Sequence, residues 1–351
     1  MKTATPPTSD QLAAWDRQHV WHAFTQMRDY QPLVFERGEG CTLIDINGNR
    51  YLDGCSSLWC NIHGHAHPKI DAAIRAQLDK VAHVTNLGAS NPTTIELAKR
   101  LVEITPEGLN HVFFVSDGAC AIEAAVKIAF QYWRQCERPR PEKSVFLTLG
   151  DAYHGDTIGS VSLGGVDRFN AVFGPLLFET IRAPMPDMYR LSLPTLSASA
   201  AEGVIHESAT KHYLAEVENI LAAEQHRLAA MVIEPLVQGA AGMVMHPRGY
   251  LRGVRELTRK YNVLLIADEI AVGFGRTGTM FACEQEDVTP DLLCLGKGLT
   301  GGYLPVAATL ASDEVYGAFL GDYEESKAFF HGHTYGGNPL GCAAGLATLD
   351  I

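Results

Sequence analysis

The chain has 351 residues, with 28 Lys or Arg against 40 Asp or Glu, a formal net charge of −12, and 46% hydrophobic against 19% charged residues. This balance excludes a disordered chain, and without a Lys/Arg cluster long enough to track a phosphate backbone, nucleic acid is not an expected partner. No apolar run approaches membrane-spanning length and the first ten residues are polar and rich in Pro and Thr, so no membrane partner is expected and the expected location is the cytoplasm.

In chain order, residues 1–66 read as an N-terminal arm and small lobe, with a β-like stretch Cys41–Asp53 that turns at Asn47-Gly48. From Pro68 to Ala82 the spacing predicts a helix with Ile70, Ile74, Leu78 and Val81 on one stripe, its proline in the first turn where a missing N–H costs least. Asn91-Pro92 opens a second helix in the same way, and a third runs from about Ala119 to Trp133 with Ile122, Ala125, Val126, Ala129 and Trp133 facing a core. From His111 onward short apolar runs alternate with helix-period segments, the pattern of an α/β domain with a largely parallel sheet. The candidate strands are His111–Ser116, Ser144–Gly150, Ala229–Val237, Val263–Ile270, Leu292–Gly296 and Leu304–Ser312. Residues 190–215 read as a polar excursion and Leu193–Ala201 as a surface loop. Residues 67–340 are assigned to the large domain. The chain stops at Ile351 inside an apparent helix without a stop signal, so residues 341–351 are expected to lead into a missing C-terminal lobe. The eight cysteines are scattered without a C-x-x-C pair and read as reduced thiols.

Several strand ends carry chemistry. Val263-Leu-Leu-Ile-Ala-Asp268-Glu269 puts an acid at the carboxyl edge of the sheet, where α/β ligands bind. There Asp268 could keep a pyridine nitrogen protonated, although in isolation a helix cap or salt bridge explains it better. Twenty-nine residues later, Asp291-Leu-Leu-Cys-Leu-Gly-Lys297-Gly298 ends another run with a lysine. A partly desolvated lysine loses its proton more readily and can attack an aldehyde, but a surface lysine in a glycine-rich turn is the commoner arrangement. Ser116-Asp117-Gly118-Ala119 lies between a strand and a helix, as an anion cradle would, and Tyr153 in Asp151-Ala-Tyr153-His154-Gly155-Asp156 follows a strand where an aromatic could stack on a flat ring. His63-Gly-His65-Ala-His67 lacks carboxylates to complete a metal shell, and locally bonded turn histidines are preferred; no metal is expected.

Together these segments resemble the class III, or ω-, aminotransferases of pyridoxal 5′-phosphate (PLP) fold type I over nearly the whole chain. Within that family Asp16-Arg-Gln-His-Val-Trp21-His, Trp59, Ile-Glu234-Pro-Leu-Val-Gln238-Gly and Asp268-Glu-Ile-Ala-Val-Gly-Phe-Gly-Arg276-Thr-Gly are similar to the biotin-synthesis branch. The resemblance implies a mostly parallel seven-stranded sheet in the large domain, with a small N-terminal lobe. It implies that Lys297 forms an imine with the cofactor, Asp268 pairs with the pyridine nitrogen, Tyr153 stacks on the ring, and Gly118 and Ala119 hold the phosphate. Thr334, in His331-Gly-His333-Thr334-Tyr335, matches the threonine that reaches the neighbouring subunit's phosphate, which implies a homodimer with a shared active site. Trp59 and Asp156 match substrate-pocket positions of an enzyme acting on 8-amino-7-oxononanoate with S-adenosylmethionine. Phe24 stands where that branch usually has a tyrosine and His333 where it has a proline; both bear on whether the donor is S-adenosylmethionine or lysine. The family's carboxylate-binding arginine belongs to the C-terminal lobe and has no counterpart here. Two other readings stay open: another class III aminotransferase or aminomutase acting on a different amine, or a catalytically silent remnant.

Overall fold

Apolar runs with no polar face form strands covered on both sides, and the central sheet is built from them. The computed structural model describes residues 6–191 and 201–351. Near the N-terminus Phe35–Glu39 (β1), Thr42–Asp45 (β2) and Arg50–Leu52 (β3) pair antiparallel. Asp45 fixes the β2–β3 turn by accepting the N–H groups of Asn47 at 2.9 Å and Asn49 at 2.8 Å, and Gly48 supplies the φ of +85° the turn requires.

The large sheet comprises His111–Val115 (β4), Val145–Leu149 (β5), Thr180–Ala183 (β6), Leu228–Ile233 (β7), Leu264–Asp268 (β10), Leu292–Leu295 (β11) and Ala307–Ala311 (β12), while Val237–Gln238 (β8) and Val244–Met245 (β9) form a separate ribbon. Its order is β4-β12-β11-β10-β7-β5-β6, and all neighbours are parallel except that β12 runs against both β11 and β4. Alternate residues face opposite layers. Leu147, Met231, Leu265 and Leu293 meet helices Pro92–Ile104, Glu202–Glu224 and Tyr250–Lys260, whereas Phe146, Val232, Ile266 and Leu292 meet helix Gly118–Gln135.

The six expected strands are all present with shorter ends, except that β7 begins one residue earlier than expected, at Leu228. Ser116, Gly150, Ile270 and Gly296 fall beyond them in the loops that build the site, and Val237 belongs to the small ribbon. The seventh strand, β6, was not among the runs read from the sequence because it has four residues and mixed exposure at the sheet edge. The helix from Pro68 ends at Leu78, and its buried positions are Ile70 and Gln77; Leu78 and Val81 are exposed. Gln77 turns inward because its amide donates to the Val81 carbonyl at 2.8 Å and accepts the Thr93 hydroxyl at 2.8 Å. Most of the expected loop 193–201 lies outside the described residues. The polar excursion to 215 is instead largely the helix Glu202–Glu224, buried through Ala209, Tyr213, Val217 and Leu221. Among the described residues, no helix is long and apolar enough to cross a membrane.

Candidate functional site

A parallel sheet delivers its strand ends to one edge, and here the ends of β4, β5, β7, β10 and β11 converge on a cavity of about 860 Å³. Its lining includes Phe24, Trp59, Gly118, Ala119, Tyr153, Asp156, Asp268 and Lys297, which are separated by up to 273 residues of chain. It also includes His154, Phe169, Glu234 and Ile270, to which the sequence reading gave no role.

Asp268 ends β10 and is almost fully buried. Its Oδ2 lies 2.8 Å from His154 Nδ1, and its Oδ1 accepts the Ile270 N–H at 3.1 Å. Burial alone would strip charge from the fully enclosed His154, but the hydrogen bond to Asp268 and the charges of Asp268 and Glu234 prevail and raise its pKa. Glu234, just past β7, accepts the N–H groups of Tyr153 at 3.2 Å and Gly239 at 2.9 Å. Burial pushes its carboxyl up to about 7 against the opposing pull of His154.

Lys297 follows Gly296 at the end of β11, with a φ of +43° uncommon for a side chain-bearing residue. Its ammonium is desolvated, which lowers its pKa, while Asp268 and Glu234 oppose the shift. The Nζ atom lies 4.6 Å from the centre of the Trp59 ring. A buried amine with two acids nearby is therefore easier to deprotonate than a surface lysine without being left unpaired. Tyr153 donates its hydroxyl to Asp156 Oδ2 at 2.8 Å, and its ring meets Phe169 edge-on at 6.2 Å; Phe169 in turn meets Phe24 at 5.3 Å.

The helix Gly118–Gln135 begins at the cavity wall, capped by Asp117, whose side chain accepts the Cys120 N–H at 3.0 Å. Gly118 has to be glycine here because a Cβ would stand 2.7 Å from Ile270 Cγ2. Gly155, with a φ of +123°, likewise lets its loop approach Ala119, where a Cβ would stand 2.5 Å from the Ala119 Cβ. Backbone amides at this turn and the helix dipole favour an anion without a charged side chain. A desolvated amine, a carboxylate held by an imidazole, an aromatic wall and an anion-binding turn form a donor set that fits a phosphorylated pyridine aldehyde.

Two of the expected site residues lie outside the lining of this cavity. His333 Nδ1 lies 3.0 Å from Ser116 Oγ, and Thr334 is exposed. The three histidines of His63-Gly-His65-Ala-His67 diverge: His63 bonds the Thr348 carbonyl at 3.1 Å, His65 bonds Asp53 at 2.8 Å, and His67 Nδ1 has no partner among the described residues. Glu234 carried the same signal as Asp268, an acid closing an apolar strand. His154 carried none beyond its place next to Tyr153.

Residues 24–351 match the family model for class-III aminotransferases. The chain belongs to that family. It is 53% identical over 354 aligned residues to an adenosylmethionine-8-amino-7-oxononanoate aminotransferase of Nitratidesulfovibrio vulgaris, an alignment covering 99% of this chain and 64% of that relative. The crystal structure of the enzyme of the same name from Methanocaldococcus jannaschii is similar with a TM-score of 0.87 at 44% identity, over 97% of this chain and 74% of that one. An omega transaminase from Pseudomonas jessenii, solved in complex with PMP, is similar with a TM-score of 0.89 at 31% identity, over 97% and 74% of the two chains. The fold of the chain is thus PLP fold type I, and the cofactor of the family is the one the donor set fits.

Proposed function

We propose that this aminotransferase acts in biotin synthesis, moving an amino group from S-adenosylmethionine to 8-amino-7-oxononanoate to give 7,8-diaminononanoate. The observation that carries the reaction class is Lys297, desolvated in an apolar cavity beneath Trp59 and facing the Asp268–His154 pair. The substrate assignment is supported by the names of the relatives and by the cavity wall of Trp59, Tyr153 and Phe24, an apolar surface suited to an aliphatic oxo-acid.

When bound, PLP supplies an aldehyde for an amine and a ring that accepts electrons. Lys297 is the residue that anchors it covalently. Lys297 Nζ, tethered where the proton leaves, would take the proton from the amine-bearing carbon of the donor and deliver it to the former aldehyde carbon of the cofactor, the transfer that transamination requires. Asp268, fixed by His154, holds a proton on the ring nitrogen. Tyr153 keeps the ring plane, with its own hydroxyl committed to Asp156. The Gly118 and Ala119 amides hold the phosphate. Phe24, Trp59 and Asp156 bind substrate. The enzyme works as a homodimer in which the exposed Thr334 reaches the neighbouring subunit's phosphate and His333 braces that segment against Ser116.

The test is a coupled assay of the holoenzyme with S-adenosylmethionine and 8-amino-7-oxononanoate, with product identified by mass spectrometry. The proposal expects 7,8-diaminononanoate. Transfer to other oxo-acids with none to this acceptor contradicts it.

A further inference from the structure

The backbone that presents Trp59 is strained. Ser56, Ser57, Leu58 and Trp59 have φ values of +51°, +44°, +72° and +67°, four consecutive left-handed residues without a glycine, whereas the other non-glycine residues with positive φ in the described chain occur singly. The turn closes on itself, since Trp59 N–H donates to the Cys55 carbonyl at 2.7 Å and Cys60 N–H to the Ser56 carbonyl at 3.1 Å. L-residues disfavour this conformation one by one, so a left-handed turn persists only where its surroundings over-determine it.

Asp53 supplies that determination. Its Oδ1 accepts the Ser57 N–H at 2.9 Å, its Oδ2 accepts the Ser57 hydroxyl at 2.8 Å, and the same Oδ2 lies 2.8 Å from His65 Nε2. The Asp53 side chain is 4% exposed, and these partners outweigh the effect of burial to hold its carboxyl at about 2. His65 is fixed in turn. It exchanges backbone bonds with Gly40 at 2.7 and 3.2 Å, and it packs so closely on β1 that a Cβ at Gly38 would stand 2.6 Å from its own. At the far end of the turn the Trp59 indole rests on Gly239, where a Cβ would lie 3.1 Å from its Cζ3, and faces Lys297 Nζ.

We propose that Asp53, braced by His65, is a positioning residue: it holds the left-handed turn Ser56–Trp59 and so keeps the Trp59 indole against Lys297. Asp53 does not line the cavity and acts through Ser57. The kinetic part of the test rests on the proposed acceptor; the structural part does not.

The experiment compares the holoenzyme with Asp53→Ala, His65→Phe and the double variant Asp53→Ala/Ser57→Gly, because glycine takes the left-handed conformation freely. Hydrogen exchange is read by mass spectrometry on a peptide covering 55–62, with β10 as reference, together with kcat and KM for the oxo-acid. The single variants are expected to exchange at least tenfold faster in 55–62 with β10 unchanged, and to raise KM at least fivefold while Lys297 still takes up cofactor. The double variant is expected to recover at least half of both effects. Unchanged exchange in both single variants overturns the proposal, as does a double variant no better than Asp53→Ala. Should the oxo-acid prove not to be a substrate, the exchange data alone decide, and only the functional reading fails.

Discussion

Lys297 and Asp268 act through what surrounds them. Lys297→Ala is expected to lower turnover by about 10³-fold or more, since attachment and proton transfer are lost together; single-turnover kinetics with added amine checks this. Glu234, at about 7, ionises as the pH rises through neutrality and then favours the Lys297 ammonium. Glu234→Gln removes that charge and is expected to shift the pH dependence of cofactor uptake by the apo-protein to lower pH, as followed by absorbance; a shift to higher pH contradicts the arrangement. Lys297 and Asp268 stood out in the sequence because each closes an apolar strand, a purely local signal. His154, 114 residues from its partner Asp268, becomes meaningful only when β5 and β10 share a sheet edge.

Among the elements, the strand-to-helix turn at Gly118 is tightly constrained, with no room for a Cβ beside Ile270. Gly118→Val forces a side chain into Ile270, displaces the helix start, and is expected to weaken PLP binding at least tenfold; equilibrium titration of the apo-protein measures this. The same substitution leaving affinity unchanged would show that this turn does not hold the phosphate. Helix Gly118–Gln135 was readable because nine of its residues are buried and recur at helical spacing. Glu202–Glu224 was not, because it buries only a narrow stripe at every fourth position along a polar helix. The reversed direction of β12 has no sequence signature either, since a strand covered on both faces reads the same both ways.

For the whole molecule, acid sensitivity follows from a histidine remote from the chemistry. His246 is buried edge-on to Tyr250 with neither ring nitrogen bonded among the described residues, and burial depresses its pKa from 6.5 to about 3. The unfolded chain protonates this ring near 6.5 while the native one resists until about 3. Its contribution is therefore full above pH 6.5 and is lost as the pH falls toward 3, by about 2 kcal/mol between pH 6.5 and 5. His246→Phe is expected to flatten that part of the stability profile in urea titrations at several pH values, and an unchanged slope contradicts this. Borohydride reduction of the PLP-saturated protein followed by peptide mass spectrometry is predicted to find a pyridoxyl adduct on Lys297, and an unmodified Lys297 with the adduct on another lysine would contradict it.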